Sequence, residues 1–149
     1  MPSNFTSKRN PAYVGIVDDE GKQLGTSANP LVTTGSGGVG VTSTQVTIAS
    51  GQSLSDAIDV RDKVLTGILI PTGYAEGNMT IQASDTESGT YVDLYDSNAT
   101  QIMIGVGGDN RMVAVVGYAM QAIASMSFIK LKTANNAAAA RTITVLTKG

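Results

Sequence analysis

The sequence predicts an all-β fold: an antiparallel β-sandwich, with jelly roll the favoured form, and an extended N-terminal arm. Three observations lead there. Short runs of alternating apolar and polar residues, separated by turn residues, recur from residue 44 onward. One run, Lys63-Val64-Leu65-Thr66-Gly67-Ile68-Leu69-Ile70, is apolar on both faces and stops at Pro71. Only Tyr118 to Ser125 has a helix-friendly composition, and a helical turn or loop is expected there.

Composition narrows the function classes. Hydrophobic residues make up 42% of the 149 and charged residues 15%, which argues against disorder and against a charge-coated monomer. A net charge of −2 gives no reason to expect nucleic-acid binding. The sequence has no cysteine, histidine or tryptophan. Disulfides, a Cys/His zinc site, and Cys–His or Ser–His–Asp catalysis are therefore excluded. The start, Met1-Pro2-Ser3-Asn4-Phe5, lacks an apolar signal core, so production in a cytoplasm is expected, with no membrane association. No cofactor is expected.

The elements follow in order. Residues 1–43 read as an arm. It opens with a polar stretch bearing Pro2 and Pro11. A short hairpin comes next, from Tyr13-Val14-Gly15-Ile16-Val17 through Asp18-Asp19-Glu20-Gly21 to Gln23-Leu24-Gly25-Thr26. Leu31-Val32-Thr33-Thr34 is a further extended piece. A lone hairpin is marginal, so the arm is expected to lie on its own sandwich or on a neighbouring subunit. Gly35-Ser36-Gly37-Gly38-Val39-Gly40 matches G-x-G-x-x-G, but a β-prone stretch follows it rather than a helix, so it reads as a linker.

Residues 44–149 form the predicted sandwich domain. Expected strands are Gln45–Ala49, Leu54–Val60 and the core run 63–70. In that run Val64, Ile68 and Ile70 share one face, while Leu65 and Leu69 take the other. Met79, Ile81 and Ala83 alternate with polar residues. Tyr91 to Asp96 alternates with Val92 and Leu94 inward. Ile102–Ile104, Met112–Val116, Met126–Lys132 and Arg141–Thr147 complete the set.

Several residues are candidates for function. Tyr91 and Tyr95 share a strand face and offer an aromatic platform for a glycan, or a contact surface. Phe128, Lys130 and Lys132 share another strand face, a basic and partly apolar strip suited to docking on an acidic surface. In the arm, Tyr13, Val14, Ile16, Leu31 and Val32 are the apolar candidates for partner contact. Asp18-Asp19-Glu20 lacks the spaced ligands of a calcium loop and reads as a solvated turn. Asp93 and Asp96 are three apart on an expected strand and point to opposite faces, a poor pair for glycoside chemistry. The sequons at Asn4, Asn78 and Asn98 are chance matches in a chain rich in Ser and Thr.

The stretch from Ile48 to Leu146 resembles a β-sandwich domain of tailed-bacteriophage structural proteins. The resemblance rests on the order of several short motifs. These are Ile48-Ala49-Ser50-Gly51-Gln52 with Ala57-Ile58-Asp59, Leu65-Thr66-Gly67-Ile68 running into Pro71, and Ile81-Gln82-Ala83-Ser84 leading to Tyr91-Val92-Asp93-Leu94-Tyr95-Asp96. Phe128-Ile129-Lys130-Leu131-Lys132 and Arg141-Thr142-Ile143-Thr144-Val145 follow. Val14-Gly15-Ile16-Val17-Asp18 and Gly25-Thr26-Ser27-Ala28-Asn29-Pro30-Leu31 are similar to the arms of such proteins. The resemblance implies a non-enzymatic virion component, a decoration (cement) protein on the capsid surface. Its expected partners are the major capsid protein and further copies of itself, as a homotrimer. Two alternatives stand beside it: a glycan- or host-binding head-fibre module, and a neck or tail accessory protein.

Overall fold

The computed structural model describes residues 40–149. The elements are β1 (Val41–Ile48), β2 (Ile58–Asp59), β3 (Val64–Ile70), β4 (Met79–Ser84), β5 (Val92–Asp93), β6 (Met103–Ile104), β7 (Arg111–Ala114), α1 (Gly117–Ala124), β8 (Phe128–Thr133) and β9 (Arg141–Lys148). The described part is all-β apart from one short helix. Two antiparallel sheets run in the orders β1-β9-β3-β7 and β2-β8-β4-β5, with β6 also pairing β4. They share one apolar core. Val46, Ile48, Leu65, Ile68, Ile70, Ile143 and Val145 come from the first sheet. Met79, Ile81, Ile104, Ile129 and Leu131 come from the second, and Ile123 from α1.

The core run became β3, a central strand between β9 and β7, with one correction to its faces. Leu65 pairs Thr147 while Gly67 pairs Leu146, so Thr66 is an extra residue opposite its partner strand. This bulge reverses the alternation. Leu65 therefore joins Ile68 and Ile70 in the core instead of facing away from them, and Val64, expected on their face, takes the other and is only half-buried. Thr66 is held in the bulge by its hydroxyl, which donates to the Leu146 carbonyl at 3.2 Å, and by its own carbonyl, which accepts from the Val115 amide at 3.0 Å.

Other expectations shift for local reasons. The strand expected over Leu54–Val60 shrinks to Ile58–Asp59. Buried Ser55 interrupts it: its Oγ accepts from the Leu131 amide at 3.0 Å, where a ladder carbonyl would stand. The Tyr91–Asp96 run yields only β5, and Val92 is 62% exposed, not inward. After β5 the chain leaves the edge and returns as β6. Asp96 shapes this excursion, its Oδ1 accepting from the amides of Asn98 and Thr100 at 2.8 and 2.9 Å. The helix-friendly stretch is a full eight-residue helix, α1, which opens at Gly117 with φ +61° and buries Ile123. No described helix is long and apolar enough to cross a membrane.

The loop after β3 is fastened to the start of β9 by a buried ion pair. Glu76 is only 3% exposed, and its Oε1 accepts from Arg141 Nε at 2.8 Å. Its Oε2 accepts from the Ala75 amide at 2.9 Å. Burial pushes the Glu76 carboxyl upward, but the hydrogen bonds from Arg141 and from the Ala75 amide outweigh this and hold it below the ordinary range. Beside it Tyr74 donates to the Gly77 carbonyl at 2.7 Å, and burial together with the Glu76 charge pushes its phenol up to about 12.

Candidate interaction surfaces

Two surfaces stand out, one polar and one apolar. The polar surface is the outer face of β8, β4 and β5, where Lys130 stands beside Gln82, and Gln82 beside Asp93. Tyr91 and the Lys130–Lys132 strip, separate groups in the sequence, meet here. The Lys130 ammonium lies over the Tyr91 ring, 4.6 Å from its centre. The Tyr91 hydroxyl donates to the Glu87 carbonyl at 2.9 Å, and burial raises its pKa. Lys132 Nζ contacts Asp93 Oδ1 at 3.1 Å, and Gln82 donates to the same oxygen at 2.8 Å. These two contacts, that of Gln82 first, hold the Asp93 carboxyl below its ordinary value.

The strip is therefore less free than its residues suggest. Both lysines already have partners on the sheet. Phe128 lies on the same strand but is only 7% exposed, with the Arg61 guanidinium stacked 4.9 Å from its ring centre. Arg61 is in turn paired with Asp59 at 2.7 Å, which holds that carboxyl down to about 2. Phe128 thus acts as a covered anchor, not an exposed contact. Tyr95 stands elsewhere, exposed at the isolated bridge to Gln101 where the β5–β6 excursion closes. One face of the Tyr91 ring carries Lys130, so the expected pair of open tyrosine rings is reduced to Tyr95 and the other face of Tyr91.

The apolar surface was not anticipated. It runs around β7 and the start of α1. Leu69 and Met112 are paired across β3 and β7, and both side chains are exposed. Ala114 and Val116 continue the band, and a shallow groove joins them to Met103 on β6. Tyr118, in the first turn of α1, is 74% exposed. Exposed side chains of this size seldom cluster on a protein that is never covered there. The signal in the sequence was weak, because Met112–Val116 reads as an ordinary half-buried strand.

The arm candidates Tyr13, Val14, Ile16, Leu31 and Val32 lie outside the described residues. So does the arm itself up to residue 39. Among the described residues no cluster of three or more acidic side chains could hold a metal ion.

No protein-family model, no curated protein and no solved structure matches this chain.

Proposed function

We propose that the protein is a non-enzymatic structural component of a phage virion that binds the outside of the capsid and stabilises it. The observation that carries this reading is the exposed apolar band of Leu69, Met112, Val116, Tyr118 and Met103. Arg111 is the nearest base in sequence to Met112, and Asp109 the nearest acid. Such a surface suits burial against another protein. The order of motifs noted in the sequence points to the major capsid protein as that partner. Binding only the expanded shell would stabilise it by mass action.

The fold supports the reading. Taking β5 and β6 as one interrupted strand, the sheet orders, with β1, β3, β7 and β9 in one sheet and β2, β4, β5/β6 and β8 in the other, support a jelly-roll winding. That architecture is common among viral capsid proteins and lectins. The arm expected over residues 1–43 would supply further contact with the capsid or a sister copy.

The test is co-sedimentation of the purified chain with empty expanded capsids, counting bound copies. Saturable binding at a copy number matching the capsid subunits, lost in Met112→Glu and Val116→Glu, is the expected result. Binding that survives both substitutions would remove the apolar band from the interface. A single ring's worth of copies would place the protein at the neck.

A further inference from the structure

We propose that β1 is a strand-pairing edge through which two copies of this chain join about a two-fold axis. The proposal does not depend on the capsid reading.

The four edges of the two sheets are not alike. β2 and β5, like the β6 segment beside β5, have two residues each. β7 has four and begins with Arg111. Short or charged edges resist adding a further strand. β1 is the exception. It has eight residues, Val41-Thr42-Ser43-Thr44-Gln45-Val46-Thr47-Ile48, with no charge and no proline. Its pairing with β9 runs from Val41 to Ile48 without a register shift.

The direction of its free backbone groups can be read from one end. Thr47 turns away from β9: its carbonyl accepts from the Asp56 amide at 3.1 Å, and its amide donates to Asp56 Oδ2 at 2.9 Å. Alternate residues of an antiparallel edge strand point their N–H and C=O the same way. Gln45, Ser43 and Val41 therefore also point outward. Asp56 covers the edge only at Thr47. Among the described residues no strand pairs with the outer edge of Val41–Gln45. Residues 41–45 are exposed on both faces of the sheet, so no neighbouring layer blocks an approach.

This edge is complementary to itself. Two β1 strands running antiparallel about an axis at Ser43 place Ser43 opposite Ser43, and Val41 opposite Gln45. Each outward N–H then meets an outward C=O across the axis. The facing side chains are apolar, hydroxylic or, at Gln45, an uncharged amide, and no like charges oppose one another. A two-fold contact of this kind differs from the three-fold assembly expected from the resemblance.

The experiment uses the full chain, with Ser43→Lys and Gln45→Lys as variants. Sedimentation velocity over a range of concentrations measures mass. Amide exchange at Val41, Ser43 and Gln45 is followed in concentrated and dilute samples. The expected result is a concentration-dependent dimer whose edge amides lose protection on dilution. Each lysine variant should weaken the dimer by at least about tenfold while keeping the wild-type circular dichroism spectrum. A chain that stays monomeric when concentrated, with these amides unprotected, overturns the proposal. An assembly of odd order overturns it too, as does a dimer indifferent to both lysines. Edge amides protected equally at every concentration also overturn it, because the chain's own residues 1–39 would then cover the edge.

Discussion

Arg141→Met isolates the buried ion pair with Glu76. Methionine keeps much of the stem volume and removes the guanidinium. What remains is a carboxylate that is 3% exposed, with the Ala75 amide as its remaining side-chain hydrogen-bond donor. Removing one partner of a buried pair costs about 3–5 kcal/mol. The Arg141 side chain keeps some solvent contact, at 19% exposure, so the lower end, about 3 kcal/mol, applies. For a domain of this size that lowers Tm by about 10 °C at pH 7.

The pH dependence gives the sharper test. In the wild type the folded pKa of Glu76 is depressed. Its contribution is fully present above the unfolded carboxyl value, and is lost as pH falls through the folded one. In the variant burial persists without the cation, so the folded pKa rises above the unfolded value. The charged carboxylate then destabilises the fold at neutral pH, and protonation relieves it. The gap between wild type and variant should thus be widest at pH 7 and shrink toward pH 4. Urea unfolding followed by circular dichroism at the two pH values measures it. A deficit below about 1 kcal/mol at pH 7 would refute the assignment of a buried pair. So would a deficit that is unchanged at pH 4.

Further outcomes follow from other contacts. Deleting Thr66 removes the bulge but leaves Leu65 opposite Thr147 and in the core; the cost is that of the two hydrogen bonds Thr66 makes, to the Leu146 carbonyl and from the Val115 amide, about 1–3 kcal/mol, read as a lower urea midpoint. Phe128→Ala should cost about 3 kcal/mol or more because the ring is covered, whereas an exposed strip residue would show little change in the same titration. Lys132→Ala should move stability by less than about 1 kcal/mol, since the pair is partly exposed, yet raise the Asp93 pKa as followed by NMR, with Gln82 still holding part of the depression. Met112→Glu should leave Tm within about 1 °C, because its side chain is 54% exposed, and change only association.

The sequence made the fold class legible because alternation is a local property. Met79, Ile81 and Ala83 show it plainly, and their strand formed as expected, with its inner residues buried. The faces of the core run were misread at Val64 and Leu65, the two residues before the bulge. A bulge depends on the pairing of β3 with β9, and nothing within residues 64–70 announces it. Val92 was misplaced for a similar reason: alternation places a side chain on a face, but it does not say whether another layer reaches over that edge. The polar surface was half legible. Tyr91, Lys130 and Lys132 were each singled out, but their pairing with one another and with Asp93 needed β5 and β8 to be brought to either side of β4. Glu76 escaped notice because a glutamate in a loop looks solvated until Arg141, 65 residues on, closes over it.

The pairing of β1 with β9 sets a condition on how this protein is made. Val41 leaves the ribosome more than a hundred residues ahead of its partner Lys148. At about 5–20 residues per second, that interval lasts roughly 5–20 s. Throughout it an uncharged, proline-free strand has no β9 to lie against. The strand best suited to pair with a second copy is thus also the first of the described strands to be synthesised, and it waits for the last of them. Neighbouring chains on one message could meet through it before either has folded, and synthesis from widely spaced ribosomes should favour soluble product.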